Sequence, residues 1–168
     1  MTGRPQSETI MARHLSPSDR RILRILQREG RITNAALAEK VGLAPSPCLR
    51  RLKALEDDGV IEGYRAIVSR KALGFEVEAF VFIKLEQSEP GWRTRLVERL
   101  KDYEEVIACH ALAGEVDLIV HAVAKDIESF GEFTMNRLLT LPGVADVRSS
   151  FVLSSIKPNA PVPVPEHP

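Results

Sequence analysis

Residues 33–59, TNAALAEKVGLAPSPCLRRLKALEDDG, decide the architecture of the first half of this 168-residue chain. Asn34 is placed to cap a short helix that turns Leu37 and Val41 inward and stops at Gly42. A longer helix follows from about Pro45 to Asp57 and stops at Gly59. Pro45 and Pro47 fall in its first turn, where a missing N–H costs no hydrogen bond. Upstream, Ser18 can cap a helix whose apolar stripe is Ile22, Leu23, Ile25 and Leu26, ended by Gly30. Three short helices with brief turns, a glycine between the second and third, form the helix-turn-helix pattern. Downstream, Val60-Ile61 and residues 64–68 read as short strands around Gly63, a wing or connecting strand.

The third helix sorts its side chains by face. Cys48, Leu49, Leu52 and Leu55 share one face and are expected to pack inward. The other carries Ser46, Pro47 and Arg50, with Arg51 and Lys53 toward its edges. Small polar and basic groups on one helix suit a recognition helix entering the major groove of duplex DNA. Arg50 is the candidate for base contact, because a guanidinium pairs bidentately with guanine. Arg51 and Lys53 are candidates for phosphate, as are Arg31, Thr33 and Asn34 around the start of the second helix. The same face could instead dock a protein, which would make the chain a winged-helix adaptor.

After residue 74 the rhythm changes. Residues 75–86 alternate, with Phe75, Val77, Ala79, Val81, Ile83 and Leu85 on one face and Glu76, Glu78, Phe80, Phe82, Lys84 and Glu86 on the other, which is a strand. Residues 90–100 return to helical spacing. Residues 106–113 and 117–123 read as two strands around a Gly114-Glu115 turn. A helix over 127–139 ends near Leu141-Pro142-Gly143, and 144–153 is a last strand. The order β-α-β-β-α-β is the ferredoxin-like split βαβ arrangement. Both helices must cover one sheet face, leaving Phe80 and Phe82 on the other. Burying a Phe stabilises by roughly 1.5–3 kcal/mol, so a second copy is expected to cover that face in a homodimer at least; the alternative is that the tail or the N-terminal domain covers it within one chain.

The fold class is therefore α+β, an N-terminal winged helix-turn-helix domain followed by a C-terminal βαββαβ domain. The divisions are 1–14, an unpatterned N-terminal segment; 15–61, the helical domain; 62–73, a linker or connecting strand; 74–157, the βαββαβ domain; and 158–168, a proline-rich tail expected to be extended and disordered. The formal net charge is zero, but residues 1–70 carry 13 Lys and Arg against 8 Asp and Glu, and residues 71–168 carry 10 against 15. A basic first half beside an acidic second half fits two modules with different partners. No apolar run reaches the ~20 residues of a membrane span. The polar start lacks the apolar core of a signal peptide. Two cysteines make no disulfide framework. A cytoplasmic protein without membrane contact is expected.

No nucleophile elbow, phosphate loop or Gly-x-Gly-x-x-Gly stretch is present. Cys109, His110 and His121 lack metal-ligand spacing, so no metal is expected. Because the ferredoxin-like fold also hosts enzymes, a small-molecule enzyme with a helical accessory domain stands as an alternative.

The residues also resemble the Lrp/AsnC, or feast/famine, transcriptional regulators over roughly residues 15–157. The likeness runs through Leu15, Asp19, Ile22-Leu23, Leu26-Gln27, Gly30-Arg31-Ile32, Leu37-Ala38 and Val41-Gly42-Leu43-Ala44. It continues through Ser46-Pro47-Cys48, Arg50-Arg51-Leu52, Leu55-Glu56, Gly59-Val60-Ile61 and Gly63-Tyr64. In the second half it is carried by Cys109-His110, Gly114-Glu115-Val116-Asp117 and Leu141-Pro142-Gly143-Val144. The resemblance implies a regulator that binds double-stranded DNA and responds to an amino acid or related metabolite, with no other cofactor. It implies dimers through the βαββαβ domain, commonly assembled into octamers, with other states also occurring. It places an effector pocket between subunits at Leu112, Gly114, Glu115 and Asp117, with Ile127, Ser149, Ser150 and Phe151. Asp117 would pair with an α-ammonium group, and backbone N–H groups or Ser149 and Ser150 would take the α-carboxylate. The turn pattern alone also allows Asp117 to be a hairpin residue bonded to its own loop. Leu118 stands where the family often has an aromatic, and the proline-rich tail is not typical of it.

Overall fold

A computed structural model describes residues 15–86 and 90–166; the expected N-terminal segment 1–14 lies outside the described residues. The described residues divide into two compact units, one formed by 15–67 with 157–166 and the other lying within 68–156. No helix among the described residues is long and apolar enough to cross a membrane.

The first unit holds α1 (Pro17–Leu26), α2 (Asn34–Val41) and α3 (Pro45–Asp57). The cap of α1 is Ser16, two residues earlier than expected, because Pro17 takes the first helical position and Ser18 lies inside the helix. Asp19 answers Ser16 in a capping box: its amide donates to Ser16 Oγ at 3.2 Å, and its carboxylate accepts from the Ser16 amide at 2.9 Å. The helix ends at Leu26 with Gln27 as its cap, so Gly30 lies in the following turn rather than closing the helix. Thr33, not Asn34, caps α2; Asn34 is its first residue and donates its side-chain amide to the Pro45 carbonyl at 2.9 Å. That bond ties the starts of α2 and α3. Gly42 adopts φ 76°, the left-handed conformation that lets the chain turn sharply into α3. The three helices close on Ile22, Leu37, Ala38, Val41, Cys48 and Leu55.

Residues 60–68 form no strand, which corrects the short strands expected around Gly63. Gly63 breaks the alternation, and no strand pairs with this segment among the described residues. Tyr64 anchors the start of the segment by donating its hydroxyl to Glu56 at 2.9 Å.

The second unit begins with a 3₁₀ turn (Lys71–Leu73) and builds one antiparallel sheet from β1 (Val77–Leu85), β2 (Val106–Ala111), β3 (Leu118–Ala124) and β4 (Val144–Phe151). The spatial order is β2-β3-β1-β4, the split βαβ topology. Helices α4 (Trp92–Asp102) and α5 (Ile127–Phe133) supply the cover, α5 widening into a π-helical turn at Thr134–Leu138. The core runs from Ala79, Val81 and Ile83 through Val120 and Ala122 to Leu96, Phe130, Phe133 and Leu138. The β1 alternation holds: Ala79, Val81 and Ile83 are fully buried, while Phe80 is 37% exposed on the opposite face. Gly143 turns the chain into β4 at φ 79°, and a Cβ there would run into the Trp92 indole.

Candidate DNA interface and effector site

On α3 the exposed residues fall on one stripe. Ser46, Leu49, Arg50 and Lys53 are spaced i, i+3, i+4 and i+7, and with Ala54 and Asp57 they line a shallow recess. Leu49 corrects the sequence reading. It is 41% exposed within this stripe, whereas Cys48 and Leu55 are fully buried and Leu52 half-buried. Core contact on α3 is carried by Cys48 and Leu55, two turns apart, and Leu49 lies a full residue-step around from Cys48. An apolar group between Ser46 and Arg50 has a use in this setting, since a thymine methyl packs on such a side chain. Among the described residues Arg50 and Lys53 make no side-chain hydrogen bond or ion pair, so both cations are available to an anionic ligand. Asp57 sits at the far end of the helix, about 16 Å along the axis from Ser46 at 1.5 Å per residue.

Arg51 has a different occupation. Its Nη1 donates to Ser16 Oγ at 3.0 Å and to Asp19 Oδ1 at 3.2 Å. Burial alone would raise the Asp19 pKa, but hydrogen bonds from the Ser16 hydroxyl and amide and from Arg51 hold it below the ordinary carboxylate value. Arg51 is thus a clamp between α3 and the start of α1, not a side chain reaching for phosphate. Pro47 is half-buried and lies off the exposed stripe. Around the start of α2, Arg31 and Thr33 are exposed, but the Thr33 hydroxyl already accepts from the Ala36 amide at 3.3 Å. Asn34 is tied to Pro45 as described.

In the second unit the effector candidates separate into two groups. Leu112, Gly114, Glu115 and Asp117 belong to the β2–β3 hairpin, at the end of the sheet where the Asp117 amide donates to Ile83 O. Phe151 pairs with Ala79, four residues back along β1, which at ~3.3 Å per residue is about 13 Å away. Ile127 opens α5 just beyond the same far end of β3. Ser149 and Ser150 are neighbours on β4, so they face opposite sides of the sheet. Ser149 sits in register with buried Val81 and Ser150 with Phe80, and one ligand in one protomer cannot use both.

Asp117 also differs from the picture of a free carboxylate. Its Oδ2 accepts from the Leu85 amide at 2.8 Å, and Lys84 Nζ lies 4.0 Å away. It holds the hairpin to the end of β1. Beside it is a recess the sequence reading did not identify, lined by Phe82, Lys84, Glu115, Val116, Asp146 and Arg148. Lys84 donates to the Glu115 carbonyl, Arg148 Nε donates to Asp146 at 2.9 Å, and Arg148 Nη1 stands 4.0 Å from Glu115. Cations and carboxylates in one small recess complement a zwitterion. The signal for it was the alternation of β1 and β4, which places Phe82 opposite Arg148 and Lys84 opposite Asp146; without the register the four could not be brought together.

On the open sheet face His121 stacks on Phe80 with ring centroids 4.5 Å apart. Its Nε2 is 2.8 Å from Glu78, whose other oxygen accepts from Arg70 Nε at 2.8 Å. His110 pairs with Ile119, and His121 with Ala108, so the two histidines are not cross-strand partners. No three His, Cys, Asp or Glu side chains among the described residues cluster as metal ligands.

Residues 78–162 match the Lrp/AsnC ligand binding domain, and residues 15–62 match a winged helix-turn-helix DNA-binding domain. The chain is 35% identical over 150 residues to the DNA-binding transcriptional activator DecR of Escherichia coli (strain K12), covering 89% of this chain and 99% of that one. It is 36% identical over 143 residues to the leucine-responsive regulatory protein of Rhizobium meliloti (strain 1021), covering 85% and 92%. A transcriptional regulator of Neisseria meningitidis solved in complex with L-Met superposes with a TM-score of 0.86 at 39% identity, covering 89% of this chain and 97% of that one. These relatives are regulators and not enzymes, which sets the accessory-domain enzyme aside. With both domains matched in order along the chain, the protein belongs to the Lrp/AsnC family and is a DNA-binding transcriptional regulator.

Proposed function

We propose that this regulator reads duplex DNA with the α3 stripe and is tuned by an α-amino acid bound at the β2–β3 end of its sheet. The observation that carries the first part is the exposed run Ser46, Leu49, Arg50 and Lys53 on a helix held at its start by Asn34 on the Pro45 carbonyl and at its middle by Arg51 on Asp19. Arg50 reads a base edge, Leu49 packs on a thymine methyl, and Lys53 with Arg31 holds phosphates. Arg51 and Asn34 position the helix.

The effector reading rests on the mixed-charge recess around Lys84, Glu115, Asp146 and Arg148, and on the Neisseria meningitidis relative with its bound L-Met. Cationic Lys84 and Arg148 suit an α-carboxylate, and Asp117, Glu115 and Asp146 suit an α-ammonium. Asp117 therefore serves the site while anchoring the hairpin. Phe151, with Ile127 beyond it, lies about 13 Å away in the same protomer and joins the pocket only from another copy. The protein accordingly works as a dimer or larger assembly, through the sheet face that carries Phe80, exposed Ile107 and His121. An effector shifts DNA binding only as far as its affinities for two assemblies differ, typically ~1–3 kcal/mol.

A thermal-shift screen against the twenty amino acids, followed by DNA titrations with and without any hit, tests this reading. A saturable stabilisation by one chemical class, with a changed DNA affinity, is expected. Absence of any stabilisation, in free and DNA-bound protein alike, would refute the effector site.

A further inference from the structure

The tail expected to be disordered is held in place. Residues 160–166, Ala-Pro-Val-Pro-Val-Pro-Glu, run along α1 of the DNA-binding unit. The side-chain amide of Gln27 makes both hydrogen bonds that one residue of backbone offers: Nε2 donates to the Val162 carbonyl at 3.1 Å, and Oε1 accepts from the Val162 amide at 2.6 Å. Arg24 Nη2 donates to the Val164 carbonyl at 3.1 Å and to the Glu166 carboxylate at 2.6 Å. Between these points Val164 is half-buried beside Leu15, Leu23, Leu26, Ile61 and Tyr64, while the Val162 side chain is 73% exposed.

This arrangement has the parts of a peptide-binding groove. Backbone is read at alternate residues, one side chain is seated, and a carboxylate is paired at the end. Prolines at 161, 163 and 165 fix φ near −65° and remove N–H groups that would otherwise need partners, so the segment loses little entropy on docking. The tether adds to this. About ten residues separate the end of β4 from Val162, and short tethers give effective concentrations on the order of 1 mM. A groove of only that affinity is then substantially filled by its own tail.

We propose that the α1 groove of the DNA-binding unit is a built-in receptor for the chain's own proline-rich tail, and that the docked tail is a second tie, besides the linker 62–73, between that unit and β4. Because β4 carries Ser150 and Phe151, the strap runs directly from a strand of the proposed effector site to the reader. The strap itself rests on the Gln27, Arg24 and Val164 contacts and not on the effector reading.

Double electron–electron resonance tests it in the full chain. Spin labels go on Arg28→Cys, beside the clamp, and Val162→Cys, whose side chain points away and whose backbone contacts remain, in a Cys109→Ser background. A single short, narrow distance is expected. It should survive dilution with excess unlabelled protein and be lost to a broad distribution in Gln27→Leu or Val164→Asp, with helix content by circular dichroism unchanged. A broad distribution in the parent, or one that neither substitution alters, would overturn the receptor. A narrow distance that disappears on dilution would place another copy's tail in the groove and overturn the strap.

Discussion

Replacing Asp19 by Ala probes how the reader helix is held. The carboxylate accepts from the Ser16 amide at 2.9 Å, the Ser16 hydroxyl at 2.6 Å and Arg51 at 3.2 Å, and the residue is only 5% exposed. Loss of a capping interaction costs ~1 kcal/mol. Loss of the Arg51 pair adds up to ~1 kcal/mol, held to that by the partial exposure of the guanidinium. Leaving the Ser16 amide unpaired brings the sum to about 2–3 kcal/mol. For a domain of this size, at ~4–8 °C per kcal/mol, the first unit should melt on the order of 10–20 °C lower. The chain offers a convenient separation of signals. Its one tryptophan, Trp92, lies in the core of the second unit, so far-UV circular dichroism should show the loss while Trp92 fluorescence keeps its transition. Asp19→Asn adds a pH test. The folded pKa of Asp19 is depressed, so its charge stabilises fully above the ordinary carboxylate value of about 3.9 and less as pH falls through the lower folded value. The stability gap between parent and Asp19→Asn should hold at neutral pH and close in strong acid. A melting shift under 2 °C, or an equal shift of the Trp92 signal, would refute the clamp.

Other substitutions address the second unit. Gly143→Ala combines a positive φ with a collision against Trp92 and should cost about 2–4 kcal/mol, read as an earlier Trp92 fluorescence transition; an unchanged midpoint would contradict the close approach. Asp117→Ala should leave DNA affinity without effector near the parent value but remove the effector-dependent change, measured by fluorescence anisotropy with and without amino acid. A parental response would take Asp117 out of the site.

The two domains and their helix and strand order were legible because burial on one face leaves a periodic trace: the β1 alternation and the α1 stripe are such traces. Caps were less legible. Ser16, Ser18, Thr33 and Asn34 are all competent capping residues, and Pro17 decides the first case by taking the first helical turn. Faces at the edge of a stripe were also ambiguous. Leu49 is apolar, yet α3 needs only Cys48, Leu55 and part of Leu52 for its core, which leaves Leu49 outward. Long-range pairing carries no local mark. Nothing near Arg51 announces that it meets Asp19, 32 residues earlier, or that Gln27 holds Val162. The division of the effector candidates between two ends of the sheet likewise depends on register. Ser149 and Ser150 could be excluded as joint carboxylate ligands by strand alternation alone.

Arg50 is the side chain on which the reading of DNA by α3 turns. After selection of a preferred duplex from random sequence, parent and Arg50→Ala are titrated against that duplex and a scrambled one at fixed salt. A loss of ~1–3 kcal/mol, roughly 5–150-fold, is expected on the preferred duplex, with scrambled binding and oligomer mass nearly unchanged. Equal affinities of parent and variant for the preferred duplex, with sequence preference intact, would contradict the assignment of the α3 stripe as the reader.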